Sequence, residues 1–432
     1  LDQLQGASRF KRRAIPVEEA LRRIIEACRA GSRTERVAAA GAAGRRLAQT
    51  LQATSDWPPF ARAGLDGYAV RSEDTLSASP SKPVTLHTAG RIAAGERTDE
   101  QVHKGTGIRI MTGAEVPDGA DAVIMLEQTE SIQHEGQAAV KIKQPAASGQ
   151  NISVPGQEFA NGAVIAEKGA LLRPGHVALL ATFGYAEVPV YAYPRVAILP
   201  TGSELLPIAE ALRPGQIRDS NSAMIASLVK VAGGEPLVLG SLRDDPKLVL
   251  RAITEVLEDA DLVVTTGGVS VGDYDVMAAV MRKIDQGQPI MGGYELLFDK
   301  VAMRPGSPTS AALAGGKPVI ALSGNPGACY VGFELFVRPA IQRLQGASIA
   351  SARPAETTAR LTADYAKGSP HERFVRTRLY VEDGVQYADP LAFNKSSMLA
   401  TLPASDGLIR IPAGPQGAAA GSLVEVILLN NN

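Results

Sequence analysis

The chain has 432 residues, more than one hydrophobic core needs, so about two to four domains are expected. A formal net charge of -1 argues against a protein that works by coating nucleic acid, and 45% hydrophobic with 21% charged residues excludes a disordered chain. No apolar run reaches the roughly 18 residues of a membrane-spanning helix, so no membrane role is expected.

Leu1 to Arg13 is polar and then basic with no apolar segment behind it, which does not read as a secretory signal. Leu1 in place of an initiating Met suggests either trimming or an incomplete natural start. Val17, Leu21, Ile24 and Ile25 fall on one face after Pro16 and predict an amphipathic helix to Cys28. Val37 to Ala48 reads as a strand followed by a short helix. Trp57-Pro58-Pro59 ends that unit, and Asp66-Gly67 is a turn signal opening a strand through Val70. Residues 83 to 145 alternate apolar and polar in short runs broken by Gly, Pro and Asp, as a compact β region does. Leu179 to Gly184 reads as a helix end stopped by glycine.

From Pro194 to Gln345 strands and helices alternate. Arg195–Leu199, Leu237–Gly240, Leu262–Val264 and Pro318–Leu322 are strands. Ser222–Val231, Pro246–Leu257 and Cys329 to about Leu344 are helices. This pattern predicts a doubly wound sheet, whose ligands collect beyond the C-terminal strand ends. After Pro354, short strands with Gly and Pro turns predict a small β-barrel or sandwich. Cys28 and Cys329 make no metal-type spacing and read as reduced core residues of a cytosolic protein.

The most informative stretch is Asp261 to Asp275, in which a strand runs into Thr266-Gly-Gly-Val-Ser-Val-Gly-Asp-Tyr-Asp275 and a helical spacing follows. Such a loop brings backbone N–H groups to an anion at a helix N-terminus. Asp273 and Asp275 at the same mouth suggest a divalent cation bridging loop and anion. Asp219 with Asn221, Lys300, Arg304 and Ser307, and Ser323, Gly324 and Asn325 also fall at strand ends. Acids for a cation beside bases for an oxyanion suit a phosphorylated ligand with Mg²⁺.

Each piece alone has a plainer reading. Asp244-Asp245-Pro246 reads first as a helix cap, Asp219 equally as cap or ligand, and Asp66-Gly67 as a simple turn. Thr112-Gly113-Ala114 reads as a strand end. His87, His103, His134, His176 and His371 form no zinc spacing, and no Walker loop or nucleophile elbow is present.

Together, Leu65-Asp-Gly-Tyr-Ala-Val70, Ile108-Arg-Ile-Met-Thr-Gly-Ala114, Thr266 to Asp275, Lys300-Val-Ala-Met-Arg-Pro-Gly306 and Gly324-Asn-Pro326 resemble the molybdopterin molybdenumtransferase family, whose relatives include the C-terminal domain of gephyrin. The resemblance implies an α/β multidomain chain. Its parts would be a split linker domain (1–50 and 147–190), a mostly β insertion (51–146), a three-layer α/β molybdopterin-binding domain (191–348) and a C-terminal β-barrel (349–432). It implies a cytoplasmic homodimer with its active site at the subunit interface. Molybdate would replace copper or protons on the dithiolene of adenylylated molybdopterin, with Mg²⁺-dependent release of AMP. A molybdopterin adenylyltransferase would supply that substrate.

Carried onto this sequence, the family's catalytic positions are Asp66, Thr112, Asp275, Lys300 and Arg304, with Asp219 and Asp275 on the metal. Gly267, Gly268, Ser270, Gly272, Asp273, Ser307, Ser323, Gly324, Asn325, Glu158, Arg376 and Ser396 would bind substrate. Asp66, Thr112 and Glu158 would reach the cleft from the partner subunit. The chain departs from the family at Ala63-Gly64-Leu65, where a hydroxyl is lost, and at Ser307, where a lysine is lost; Ser323 replaces a proline. An adenylyltransferase and a non-catalytic scaffold are the competing readings, because similar Thr-Gly-Gly loops occur in the former and a gephyrin relative anchors a receptor.

Overall fold

The computed structural model describes residues 14–268, 277, 280, 293–392 and 395–429. The chain divides into two compact units, one of residues 50–167 and 175–186, the other of the remainder.

The smaller unit is built on a six-stranded sheet in the order Ala122–Met125, Gly67–Val70, Thr106–Ile110, Val84–Ile92, Gln137–Ile142 and Thr129–His134. Alternation buries Tyr68 and Val70 in a cluster with Leu86, Ile124, Val140 and Ile142. Ala69 goes into a second cluster, with Ile92, Ile108, Ile110 and Val123. A period of two thus feeds two cores from one strand. The helix Pro174–Thr182 ends before Gly184, which has φ +74°.

In the larger unit, the helix Val17–Ala27 presses Ala20, Leu21, Ile24 and Ile25 into the core of an α/β sheet. Its strand order is Glu235–Val238, Arg195–Pro200, Leu262–Thr266, Lys317–Leu322, Ser310–Ala314 and Tyr294–Phe298. The first four strands are parallel and the last two antiparallel. Val196 and Ile198 face one helix layer while Ala197 and Leu199 face the other, and Leu262 and Val264 alternate with Val263 in the same way. Strands buried on both faces explain the unbroken apolar runs.

The segment 37–48 departs from expectation: the strand is Thr34–Ala38, paired with Glu187–Tyr191, and Ala39–Gly41 makes only one 3-10 turn. Gly41 and Gly44 shorten any helix there, since glycine is a poor helix former. The last α/β helix is also not continuous. It runs Pro326–Gly332, widens to a π-turn over Phe333–Val337 and resumes at Arg338–Leu344. Glu334 in that widened turn and Arg338, which opens the next helix, form a buried ion pair at 2.5 Å.

The C-terminal region is a closed barrel, not a sandwich: Glu372–Glu382, Val385–Pro390, Glu356–Leu361, Leu423–Leu428 and Gly407–Ile411, the last pairing back onto the first. Closure leaves this small β domain few exposed strand edges. Met303–Arg304 from the α/β region pairs in parallel with Glu372-Arg373, fastening the two regions together. Cys28 and Cys329 are buried free thiols, and burial pushes the Cys28 thiol up to about 12. No described helix is long and apolar enough to cross a membrane.

Candidate active site

The parallel strands Arg195–Pro200 and Leu262–Thr266 are neighbours, but the chain leaves them in opposite directions across the sheet. A crevice must open where the connections diverge. A cleft of about 1190 Å³ lies there, bounded by the strand-end loops and by the barrel. Its floor is a close backbone contact. Gly267 has φ +87°, and a Cβ there would lie 2.2 Å from the Thr201 carbonyl oxygen. Only glycine takes that turn without displacing the neighbouring loop. Gly268, Ser323, Gly324 and Asn325 border the same floor.

Among the described residues the α/β wall carries three acids, Glu204, Asp219 and Asp244, beside one cation, Arg218. Asp219 caps the helix Ser220–Val231 by accepting from Ser222 N at 3.0 Å, and it also borders the cleft. Asn221 Nδ2 donates to Gly324 O at 2.8 Å and ties two of the loops together. The two adjacent acids before Pro246 differ in role. Asp245 caps the helix Pro246–Val256 through Lys247 N at 2.8 Å, whereas Asp244 faces the cleft. Partial burial pushes the Asp244 carboxyl up, the Glu204 charge adds to this, and the Thr201 hydroxyl opposes it.

The opposite wall is basic: Arg304, on the α/β strand that pairs with the barrel, and the C-terminal residues Lys367, Arg373 and Lys395 all border the cleft. Beneath them Arg376 is buried. It donates from Nη1 to Met398 O at 2.8 Å and from Nη2 to Lys395 O at 3.3 Å, so it holds the loop that carries Lys395. The same loop closes on the helix at Pro326: Gly327 N and Ala328 N donate to Ser396 O at 2.8 and 3.3 Å. A Cβ at Gly327 would sit 3.0 Å from both Ser396 O and Arg376 Nη1, so a residue without a side chain is needed there.

Residues 15–184 match the MoeA N-terminal region (domain I and II), residues 197–343 the probable molybdopterin binding domain, and residues 358–429 the MoeA C-terminal region (domain IV). A molybdopterin molybdenumtransferase of Bacillus subtilis strain 168 is 41% identical over 419 residues, 97% of this chain and 95% of the relative. One of Staphylococcus aureus strain Mu50 is 38% identical over 98% of this chain and 97% of its own length. Among solved structures, a molybdopterin biosynthesis moeA protein from Pyrococcus horikoshii OT3 superposes with TM-score 0.80 at 32% identity, covering 96% of this chain and 100% of that one. The chain belongs to the molybdopterin molybdenumtransferase family.

Against the positions this family suggests, the cleft gathers Asp219, Gly267, Gly268, Arg304, Ser307, Ser323, Gly324, Asn325 and Ser396. Lys300 is half-buried on the same loop as Arg304 but is not among the residues bordering the cleft. Its carbonyl accepts from Ile15 N at 3.1 Å. Arg376 likewise acts behind the surface, through the loop it holds. The Ser307 hydroxyl donates to Val301 O at 3.0 Å and so is engaged within its own turn. Ser270, Gly272, Asp273 and Asp275 lie outside the described residues.

Asp66, Thr112 and Glu158 belong to the smaller unit. Thr112 donates to one Asp66 oxygen from both N, at 2.7 Å, and Oγ1, at 2.6 Å. These bonds, the hydroxyl's first, hold the Asp66 carboxyl below the usual carboxylate range, with Arg109 assisting. Glu158 Oε1 accepts from Arg62 at 3.3 Å. All three are exposed.

Sequence reading passed over Glu204, Lys367, Arg373 and Lys395 as site residues, and took Asp244 with Asp245 first as a helix cap. For Asp244 a signal was present, since one cap needs one acid and two precede Pro246. The three barrel cations carry no such local sign.

Proposed function

We propose that this chain inserts molybdenum from molybdate into adenylylated molybdopterin and releases AMP in a Mg²⁺-dependent step. Membership of its family makes it a transferase of molybdenum cofactor biosynthesis. The observation that supports the finer reading is one cleft with carboxylates on one wall and cations on the other, at the topological switch point of the sheet. A phosphoanhydride with an incoming oxyanion needs both: acids to hold a hard cation and bases to neutralise oxygens.

The donor set suits Mg²⁺, which usually takes one or two carboxylates and completes its shell with phosphate oxygens and water. Among the described residues no three of His, Cys, Asp and Glu form a self-sufficient metal cluster, which fits that mode better than a dedicated protein cage. Asp219 with the family position Asp275 would hold it, and Glu204 and Asp244, whose like charges face one another, would add negative charge nearby. Bound there, Mg²⁺ would supply charge neutralisation at the phosphates. Gly267 and Gly268 allow the ligand close to the backbone, and Arg304 neutralises oxygens as charge develops. In each P–O cleavage one water enters, AMP leaves and the pterin keeps its own phosphate.

Asp66, Thr112 and Glu158 serve the site from a second copy in a homodimer, and a molybdopterin adenylyltransferase delivers the substrate. In this arrangement Asp66 stays ionised through its two Thr112 bonds and orients a group rather than shuttling protons.

The test is AMP release from adenylylated molybdopterin with Mg²⁺, with and without molybdate. Molybdate-dependent AMP is expected; ATP consumption without molybdate would replace this reading with adenylyl transfer. Mixing Asp66→Asn protein with Arg304→Ala protein, each inactive alone, should recover about a quarter of the activity by forming one intact site per mixed dimer. No recovery in demonstrably mixed dimers would remove the shared site.

A further inference from the structure

The short strand Met303–Arg304 pairs with the barrel in a register that places Arg304 directly beside Arg373. Like charges opposite one another across a strand pair destabilise it unless something lies between them. Neither guanidinium has an ion pair among the described residues. Arg373 donates only a long 3.4 Å bond to Gly368 O, and its Nε is buried without a partner. Lys367 and Lys395 border the same cleft and their ammonium groups make no hydrogen bond or ion pair among the described residues. Elsewhere in the barrel the pairing is ordinary: the neighbouring Glu372 accepts from Arg410 at 3.0 Å. A fold that pairs Arg410 and leaves Arg304, Arg373, Lys367 and Lys395 around one cavity has assembled positive charge for a ligand.

We propose that Arg373, with Lys367 and Lys395, forms with Arg304 a cradle for a tetrahedral dianion, so that the barrel supplies anion-binding charge to the cleft. Two adjacent guanidinium forks can each present paired N–H donors to such an ion. The Ser307 hydroxyl in the neighbouring turn is committed to Val301 O and brings no charge to the site. The dianion is either the oxyanion substrate or a phosphate of the nucleotide-bearing substrate, and so the assignment rests on the function proposed above.

The test is calorimetric titration of the full chain at low salt with molybdate, inorganic phosphate and AMP as separate probes, without pterin. Arg373→Gln should weaken the dianion at least about tenfold, the usual scale for one charge-assisted bond pair. Arg378→Gln, exposed on the outer run of the same strand, should leave it unchanged. Lys395→Ala, which removes a side chain with no protein partner, should weaken it several-fold without lowering the melting temperature. Adding Ser307→Lys to Arg373→Gln should restore part of the affinity.

A loss confined to molybdate assigns the cradle to the oxyanion; a loss shared by phosphate and AMP assigns it to the substrate phosphate. Equal affinity in wild type and Arg373→Gln, or no binding of any probe by the wild type, overturns the proposal. Binding is read without turnover. If dianion affinity depends on Arg373 while the wild type releases no AMP, the proposed reaction fails and the cradle stands.

Discussion

On the α/β wall of the cleft the polar groups are already at work within the protein: Asp219 caps a helix, Asn221 ties Gly324 and the Ser307 hydroxyl closes its own turn. On the barrel wall Arg304 makes no hydrogen bond or ion pair among the described residues, and Arg373 makes only its long bond to Gly368. The two sides therefore differ in what a substitution tests. Change a residue on the first wall and both fold and ligand respond; change one on the second and the ligand responds almost alone. Arg376 marks the boundary, being cationic and near the site but buried and committed to the carbonyls of Lys395 and Met398.

The largest effect should come from the barrel-facing wall. Arg304→Ala is expected to lower the rate of AMP release about 10²- to 10³-fold, the range seen when a preorganised charge donor is removed. Its thermal midpoint should not fall, because no described protein group depends on that guanidinium and a like charge opposite Arg373 is removed. Arg304→Lys should recover only part of the rate, since a single ammonium cannot replace a planar fork. A substantial drop in melting temperature for Arg304→Ala would show that the contrast between the walls is drawn in the wrong place.

A smaller effect separates the two roles of Asp219. Asp219→Ala removes a helix cap and should cost about 1 kcal/mol in urea denaturation, while Asp219→Asn, an equally good cap, should cost much less. If the carboxylate charge also serves a cation, Asp219→Asn remains stable yet raises the Mg²⁺ concentration needed for AMP release. Full activity of the Asn variant at unchanged Mg²⁺ would reduce Asp219 to a cap.

Much of the acidic wall was legible because its determinants are local. Leu262 to Val264 followed by Thr266-Gly267-Gly268 specifies a buried strand and a turn that only glycine accepts, and both are present. Asp219 before Ser220 and Asp245 before Pro246 announce helix starts within a few residues. The choice of Asp245 over Asp244 as cap was not legible, since it depends on a one-residue phase between loop and helix. The basic wall is a product of long-range register. Nothing near Arg373 in sequence says that it will lie beside Arg304; that follows only when the barrel closes and takes Met303–Arg304 as a neighbour. The π-turn at Phe333–Val337 escaped for a related reason, because apolar spacing alone does not reveal one extra residue in a turn.

Asp244 offers the finest test of the acidic wall. Its folded-state carboxyl is raised from the ordinary value of 3.8, first by partial burial and then by Glu204. A raised carboxyl means that ionisation favours the unfolded chain. The associated stability is complete below the unfolded value and is lost as pH rises through the folded one. Asp244→Asn cannot ionise, so it should melt slightly higher than wild type at pH 7, on the order of a degree for so exposed a group, and the gap should close in acid. Glu204→Gln should reproduce only the lesser share, because burial is the larger cause. Added Mg²⁺ should raise the wild-type midpoint toward that of the apo Asn variant if the two acids hold the cation. An Asp244→Asn midpoint below wild type at pH 7 would mean that Asp244 has a stabilising partner in the folded protein, and the acidic wall would then lose its reason to attract a metal.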